Sequence, residues 1–202
     1  MNMEINRAIL VTYRGGLKLM KRWMSIVAFC AALPLIAGAG EKLRVGDPAP
    51  DFTLPAATQD TIEFRGIHLS AAEGNEDIIL AFYPADWSGG CTKEMCTMRD
   101  NFRDLGGLGA TVYGISGDYV FSHRQWAKAL GLPFTLLSDH DHRVARLYAS
   151  YNEQSGFNQR TVYVIDRKGK IAYADPAYVA GSEDSFAKLK NALAAIHGQE
   201  AR

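Results

Sequence analysis

Cysteine is scarce in this chain, with three among 202 residues. That is too few for a disulfide scaffold, and a chain of this length buries a core without one. Net charge is absent as well: Lys+Arg and Asp+Glu each number 22, the pI is near 7.0, and no basic cluster interrupts the balance. This excludes the electrostatic footprint of a nucleic-acid binder. No apolar run reaches the roughly 20 residues that span a bilayer comfortably, and the longest, 23–36, contains Pro34. Repeats, low-complexity tracts and internal linkers are missing too. What is present, 48% hydrophobic and 10% aromatic residues, describes a soluble globular chain of about one domain.

The first 39 residues have a character of their own. Met20-Lys21-Arg22 precedes the apolar run, and Ala37-Gly38-Ala39 follows it. A positive segment, a short apolar segment and an A-x-A site make the layout of a secretory signal. We expect residues 1–39 to be a signal peptide, with Met20 as a candidate translation start, and residues 40–202 to be an exported, periplasmic domain that meets the membrane only in transit; the alternative is a retained N-terminal anchor. Lipidation of Cys30 is disfavoured, because bulky Phe29 precedes it. Residues 40–202 keep 17 basic and 21 acidic groups, a net charge of −4, and two cysteines, Cys91 and Cys96. An isolated pair in a compartment where disulfides persist is expected to matter chemically.

Residues 40–202 alternate between strand-like and helix-like patterns. Apolar 78–83, ended by Pro84, reads as a buried strand. Residues 91–105 follow as a helix with Met95, Met98, Phe102 and Leu105 spaced by three and four, stopped by Gly106-Gly107. A strand at 111–116, a helix at 122–130 closed by Gly131, a short apolar run at 134–137 and a helix at 142–148 come next. Strands 161–165 and 170–173 flank the turn Asp166-Arg167-Lys168-Gly169, and an amphipathic helix at 182–196 closes the chain. This order predicts an α/β protein with a central mixed sheet covered by helices on both faces, a thioredoxin-like fold.

The chemistry concentrates around Cys91, where a strand and a glycine-containing loop deliver the chain into a helix. Unpaired N–H groups and the positive end of the helix dipole then face the sulfur and favour a nucleophilic thiolate. Ser88, Gly89 and Gly90 let the backbone come close to whatever approaches. The Ser88 hydroxyl has two available roles, a hydrogen bond to the thiolate or substrate and the cap of the helix. Glu94 either steers protons in the site or complements the helix dipole. Arg99 and Asp100 either orient the pocket or form an exposed pair. Asp139, His140, Asp141 and His142 have ligand-type chemistry, but adjacent groups of this kind in a turn usually cap the next helix, and no metal or other cofactor is expected. Trp87 is placed to shape a substrate mouth, and Trp126 to fill the core.

Pro84-x-x-x-Ser88-x-x-Cys91 resembles the P-x-x-x-[T/S]-x-x-C motif of the peroxiredoxins (AhpC/TSA family), and the C-x4-C spacing to Cys96 is similar to the bacterioferritin-comigratory or PrxQ-like subfamily. The likeness covers most of residues 40–202. Val45 to Phe52 resembles the family's opening segment, Gly114-Ile115-Ser116 its next strand, and Leu136 to Asp139 a later loop. Arg160 to Asp166 resembles the strand whose first arginine supports the reactive cysteine. Ser88 stands for the commoner threonine, and Trp87-Ser88-Gly89-Gly90 departs from the subfamily's Asn-Thr-Pro-Gly.

By that resemblance Cys91 is peroxidatic and Cys96 resolving, with Pro84, Ser88 and Arg160 completing the site. The implied partners are a peroxide, hydrogen peroxide or an alkyl hydroperoxide, and a thioredoxin-like or other thiol reductant; the implied oligomeric state is monomer or homodimer. The implied disulfide would join residues about 8–9 Å apart in an intact helix, beyond the roughly 7 Å that a disulfide spans. The first turns of the helix are therefore expected to unwind in each cycle. Two other uses of the fold are open to such a chain: an exported thiol–disulfide oxidoreductase, which would normally carry C-x-x-C, and a copper-handling protein, which would normally carry C-x3-C and a distant His. Spacing disfavours both.

Overall fold

A computed structural model describes residues 42–72, 74 and 76–200, with side chains to residue 196. The signal segment expected at 1–39 lies outside the described residues. In chain order the elements are β1 (Thr53–Ala57), β2 (Ile62–His68), α1 (Leu69–Ala72), β3 (Asp77–Phe82), α2 (Gly89–Asp100), α3 (Phe102–Gly107), β4 (Ala110–Ser116), α4 (Val120–Leu130), β5 (Thr135–Ser138), α5 (Arg143–Leu147), β6 (Tyr151–Asn152), β7 (Phe157–Asn158), β8 (Thr161–Ile165), β9 (Ile171–Asp175) and α6 (Glu183–Glu200). Seven strands form one sheet in the order β2-β1-β5-β4-β3-β8-β9. Strands β3, β4 and β5 run parallel, and the outer pairs β1–β2 and β8–β9 join antiparallel. The mixed sheet expected from the pattern is therefore present.

Strand β3 explains why the sheet has two covered faces. All six of its residues are buried, and with Tyr83 they alternate between two cores. Ile79, Ala81 and Tyr83 join Cys91, Met95 and Met98 of α2, Trp126 of α4 and Leu189 of α6. Ile78, Leu80 and Phe82 join Leu69, Val144 and Tyr148 on the opposite face. Each large aliphatic chain so buried contributes about 1.5–3 kcal/mol, which makes β3 the anchor of the fold. Trp126 is core, as its spacing predicts.

Two readings are corrected. The helix expected over 91–105 breaks at Asn101, whose side-chain amide donates to the Thr97 carbonyl at 2.9 Å and ends α2; α3 restarts at Phe102. Asparagine competes for backbone partners in this way. The hairpin β1–β2 has no signal in the sequence, since Thr53-Leu54-Pro55-Ala56-Ala57 lacks strand-like alternation. Pro55 sits where the pairing slips between Leu54 and Ala56, the kind of irregularity that tolerates proline in a sheet. Gly66 (φ +87°) faces this point, and any Cβ there would strike the Leu54 carbonyl.

Candidate active site

Pro84 follows β3 and cannot extend its ladder, because it has no N–H to donate. The chain leaves the sheet and reaches Ser88 through Trp87, which adopts a left-handed conformation at φ +62°. Ser88 then caps α2: its hydroxyl donates to the Ala85 carbonyl at 3.2 Å and accepts from the Cys91 N–H at 3.4 Å. Gly89 and Gly90 form the exposed start of the helix, and Cys91 is its third residue, fully buried. Ser88 is thus a helix cap whose hydroxyl sits beside the backbone of Cys91.

Pairing of β8 with β3 supplies the cation. Phe82 lies opposite Thr161, so Arg160 stands at the end of β3 where the chain turns into α2. Its Nη1 donates to the Cys91 sulfur at 3.4 Å and to Glu94 Oε2 at 2.6 Å. Gly90 makes the approach available, since a Cβ there would lie 2.6 Å from Arg160 Nη2. Burial draws the Arg160 pKa down, but the hydrogen bonds to Cys91 and Glu94 outweigh it and the net direction is upward. A guanidinium fixed in this way stays charged and stabilises a thiolate within its reach.

Glu94 falls inside the site and not on the helix surface. It does not act on the helix dipole from the surface: its side chain is wholly buried, with Oε2 on Arg160 and no hydrogen-bond partner for Oε1 among the described residues. Burial pushes its pKa up to about 7 against the opposing hydrogen bond and charge of Arg160. One guanidinium nitrogen therefore serves two acceptors, and the ionisation of Glu94 decides how much of its charge is left for the sulfur. The sequence carried a signal for this position. Residues 91, 94, 95 and 98 follow the i, i+3, i+4, i+7 spacing of a buried stripe, and Glu94 lies on it with Cys91, Met95 and Met98.

Cys96 lies on α2 five residues beyond Cys91; it is half-buried, and both thiols are free. Helix α2 is continuous between them, so the two sulfurs belong to different turns. The loop after β9 presses on this helix from outside: Tyr178 N–H donates to the Arg160 carbonyl at 3.2 Å, and Gly181 rests against the Lys93 stem.

The remaining candidates separate. Arg99 and Asp100 form an ion pair at 2.8 Å on the surface side of α2, and Arg99 Nη1 also donates to the Leu130 carbonyl. The Asp139 carboxylate accepts from the amides of Val144 and Ala145 and caps α5. His140 stacks on Tyr119, and His142 hydrogen-bonds Asn158, so the imidazoles face different neighbours. Trp87 is 58% exposed beside Ser88, with its indole N–H on Ser122 Oγ at 3.1 Å.

Known proteins resemble this chain in sequence and in fold. The sequence pattern of the AhpC/TSA family matches residues 45–174. A chloroplastic peroxiredoxin Q of Oryza sativa subsp. japonica is 38% identical over 148 residues, covering 71% of this chain and 65% of the rice protein. The chain thus spans just under two thirds of that relative's length. Among solved structures, peroxidoxin BcpB of Mycobacterium tuberculosis superposes with a TM-score of 0.66 at 30% identity, over 76% of this chain and 98% of that one. The Enterococcus faecalis AhpC structure superposes with a TM-score of 0.69 at 24% identity, over 79% and 96% of the two chains, a likeness of fold.

Proposed function

The chain belongs to the AhpC/TSA family, and on that premise we propose that it is a thiol peroxidase that reduces hydrogen peroxide and alkyl hydroperoxides in antioxidant defence. The observation that carries this reading is the Arg160 guanidinium on the Cys91 sulfur, behind the turn of Pro84, Ser88 and Gly90. The Cys91 thiolate attacks one peroxide oxygen; an S–O bond forms, the O–O bond breaks, and the leaving oxygen departs as water or alcohol after taking up a proton. Arg160 stabilises the thiolate and the negative charge that develops on the leaving oxygen. Ser88 fixes the helix start that presents the sulfur. Cys96 then attacks the sulfenic acid, a disulfide forms and water leaves. A thioredoxin-like or other dithiol reductant returns both cysteines to thiols and is itself oxidised to a disulfide.

Burial of Cys91 favours this reading over exchange with protein disulfides, which requires an accessible sulfur. Adding one equivalent of hydrogen peroxide to the reduced protein and counting thiols tests it. We expect rapid loss of both, abolished by Cys91→Ser, while Cys96→Ser consumes one equivalent and stops at the sulfenic acid. Slow, unselective oxidation of both thiols rejects the proposal. Export, with action in the periplasm as a monomer or homodimer, completes it.

A further inference from the structure

Among the described residues, one buried carboxylate with several hydrogen-bond partners is not used by the reaction above. Asp86, within the turn that leads to Ser88, has its side chain wholly buried. Tyr83 Oη donates to its Oδ1 at 2.8 Å and Ser122 Oγ to its Oδ2 at 2.7 Å. His123 Nδ1 lies 2.9 Å from Oδ2 and 3.2 Å from Oδ1. The His123 ring, also without exposed surface, turns its Nε2 to the Leu137 carbonyl at 3.2 Å. Both ring nitrogens thus face oxygen partners.

The pair is tied to the reactive turn from two sides. The Asp86 N–H donates to the Asp118 carboxylate at 2.8 Å, and the Ser116 hydroxyl holds that carboxylate at 2.8 Å. Ser122, while donating to Asp86, accepts the indole N–H of Trp87. Trp87 is the residue held at φ +62°. A non-glycine residue persists in that region only where its surroundings over-determine it. Here the side chain on Trp87 is that of Ser122, itself bonded to Asp86, and the next residue in the chain is Ser88, the cap of the helix that presents Cys91.

Resting on the peroxidase reading, we infer that Asp86 and His123 are a positioning pair for that reaction. They act through Trp87 and Ser88 to fix the start of α2, so that the Cys91 sulfur stands within reach of Arg160. Neither residue touches the sulfur. Their effect belongs to the peroxide step, whose rate depends on placement to within about 1 Å.

Two substitutions of His123 separate positioning from bulk stability, because an asparagine amide sits near Nδ1 and a glutamine amide near Nε2. His123→Asn keeps a donor for Asp86; His123→Gln keeps the Leu137 contact and leaves Asp86 without its ring partner. The second-order rate of Cys91 oxidation by hydrogen peroxide is measured in Cys96→Ser protein, beside thermal melting. We expect His123→Gln to be at least about tenfold slower at a temperature where it is fully folded, and His123→Asn to recover most of the rate. Trp87→Phe, which removes the indole N–H together with part of the ring, should slow the same step by a smaller factor. Equal rates in the folded variants, with only the melting temperature changed, overturn the inference. A Cys96→Ser parent that does not react with peroxide rejects the peroxidase reading itself.

Discussion

A methyl group on Gly90 would meet nothing but the far end of Arg160. The backbone there accepts alanine, which is a better helix former by up to about 1 kcal/mol. Gly90→Ala is expected to displace the guanidinium and slow peroxide reduction about tenfold, while the helix gain is offset by the buried Glu94 that loses its partner; a melting curve and a rate measurement on one preparation check both halves. Glu94 gives a pH prediction. Its folded-state pKa, about 7, lies above its ordinary value of 4.5, so the folded protein retains a proton that the unfolded chain has released. The stability from this group is complete below about pH 4.5 and is lost as pH rises through 7, on the order of 3 kcal/mol in all. Urea unfolding at pH 5 and pH 8 should show that decline in the native protein and a much smaller one in Glu94→Gln. At this scale Ser88, Cys91 and Cys96 were legible from type and spacing, and Pro84 and Arg160 through the family resemblance. Glu94 was not, because a carboxylate near a helix start has a simpler explanation on the surface.

Helix α2 holds both cysteines in consecutive register, and it also carries Cys91, Met95 and Met98 into the core. Forming the proposed disulfide removes the first turns of this helix, including the Ser88 cap, a loss of about 1 kcal/mol for the cap alone. One equivalent of peroxide should therefore lower the far-ultraviolet helical signal by several residues' worth and expose the 88–98 segment to protease, both reversed by dithiothreitol. A Cys91–Cys96 bridge within an undistorted helix would contradict this. Strands β3, β4 and β8 and helices α4 and α6 were readable from apolar runs and from glycine stops such as Gly131, which sits at φ +62° beyond α4. The hairpin β1–β2 was not readable, since its register is set by Pro55 and Gly66 across a slip in pairing. The end of α2 at Asn101 depends on a single side-chain amide that no periodicity reports.

For the whole molecule, the zero net charge of the chain divides into a basic N-terminal segment and residues 40–202 at −4. If export occurs as proposed, N-terminal sequencing of the protein from a periplasmic fraction should begin at Gly40; recovery only in membranes, with residues 20–39 attached, would establish the anchor instead. The apolar run of β3 announced a sheet covered on both faces, because only such a strand has no polar side. One consequence of the buried Cys91 reaches beyond turnover. A sulfur with no exposed surface cannot be lined up for attack on the small-molecule disulfides of an oxidising compartment, which need in-line access to it. The reduced Cys91 is therefore expected to be chemically quiet toward the solution that surrounds the protein. On the proposed reading, what reaches the sulfur is an oxidant slight enough to slip past a turn of two glycines.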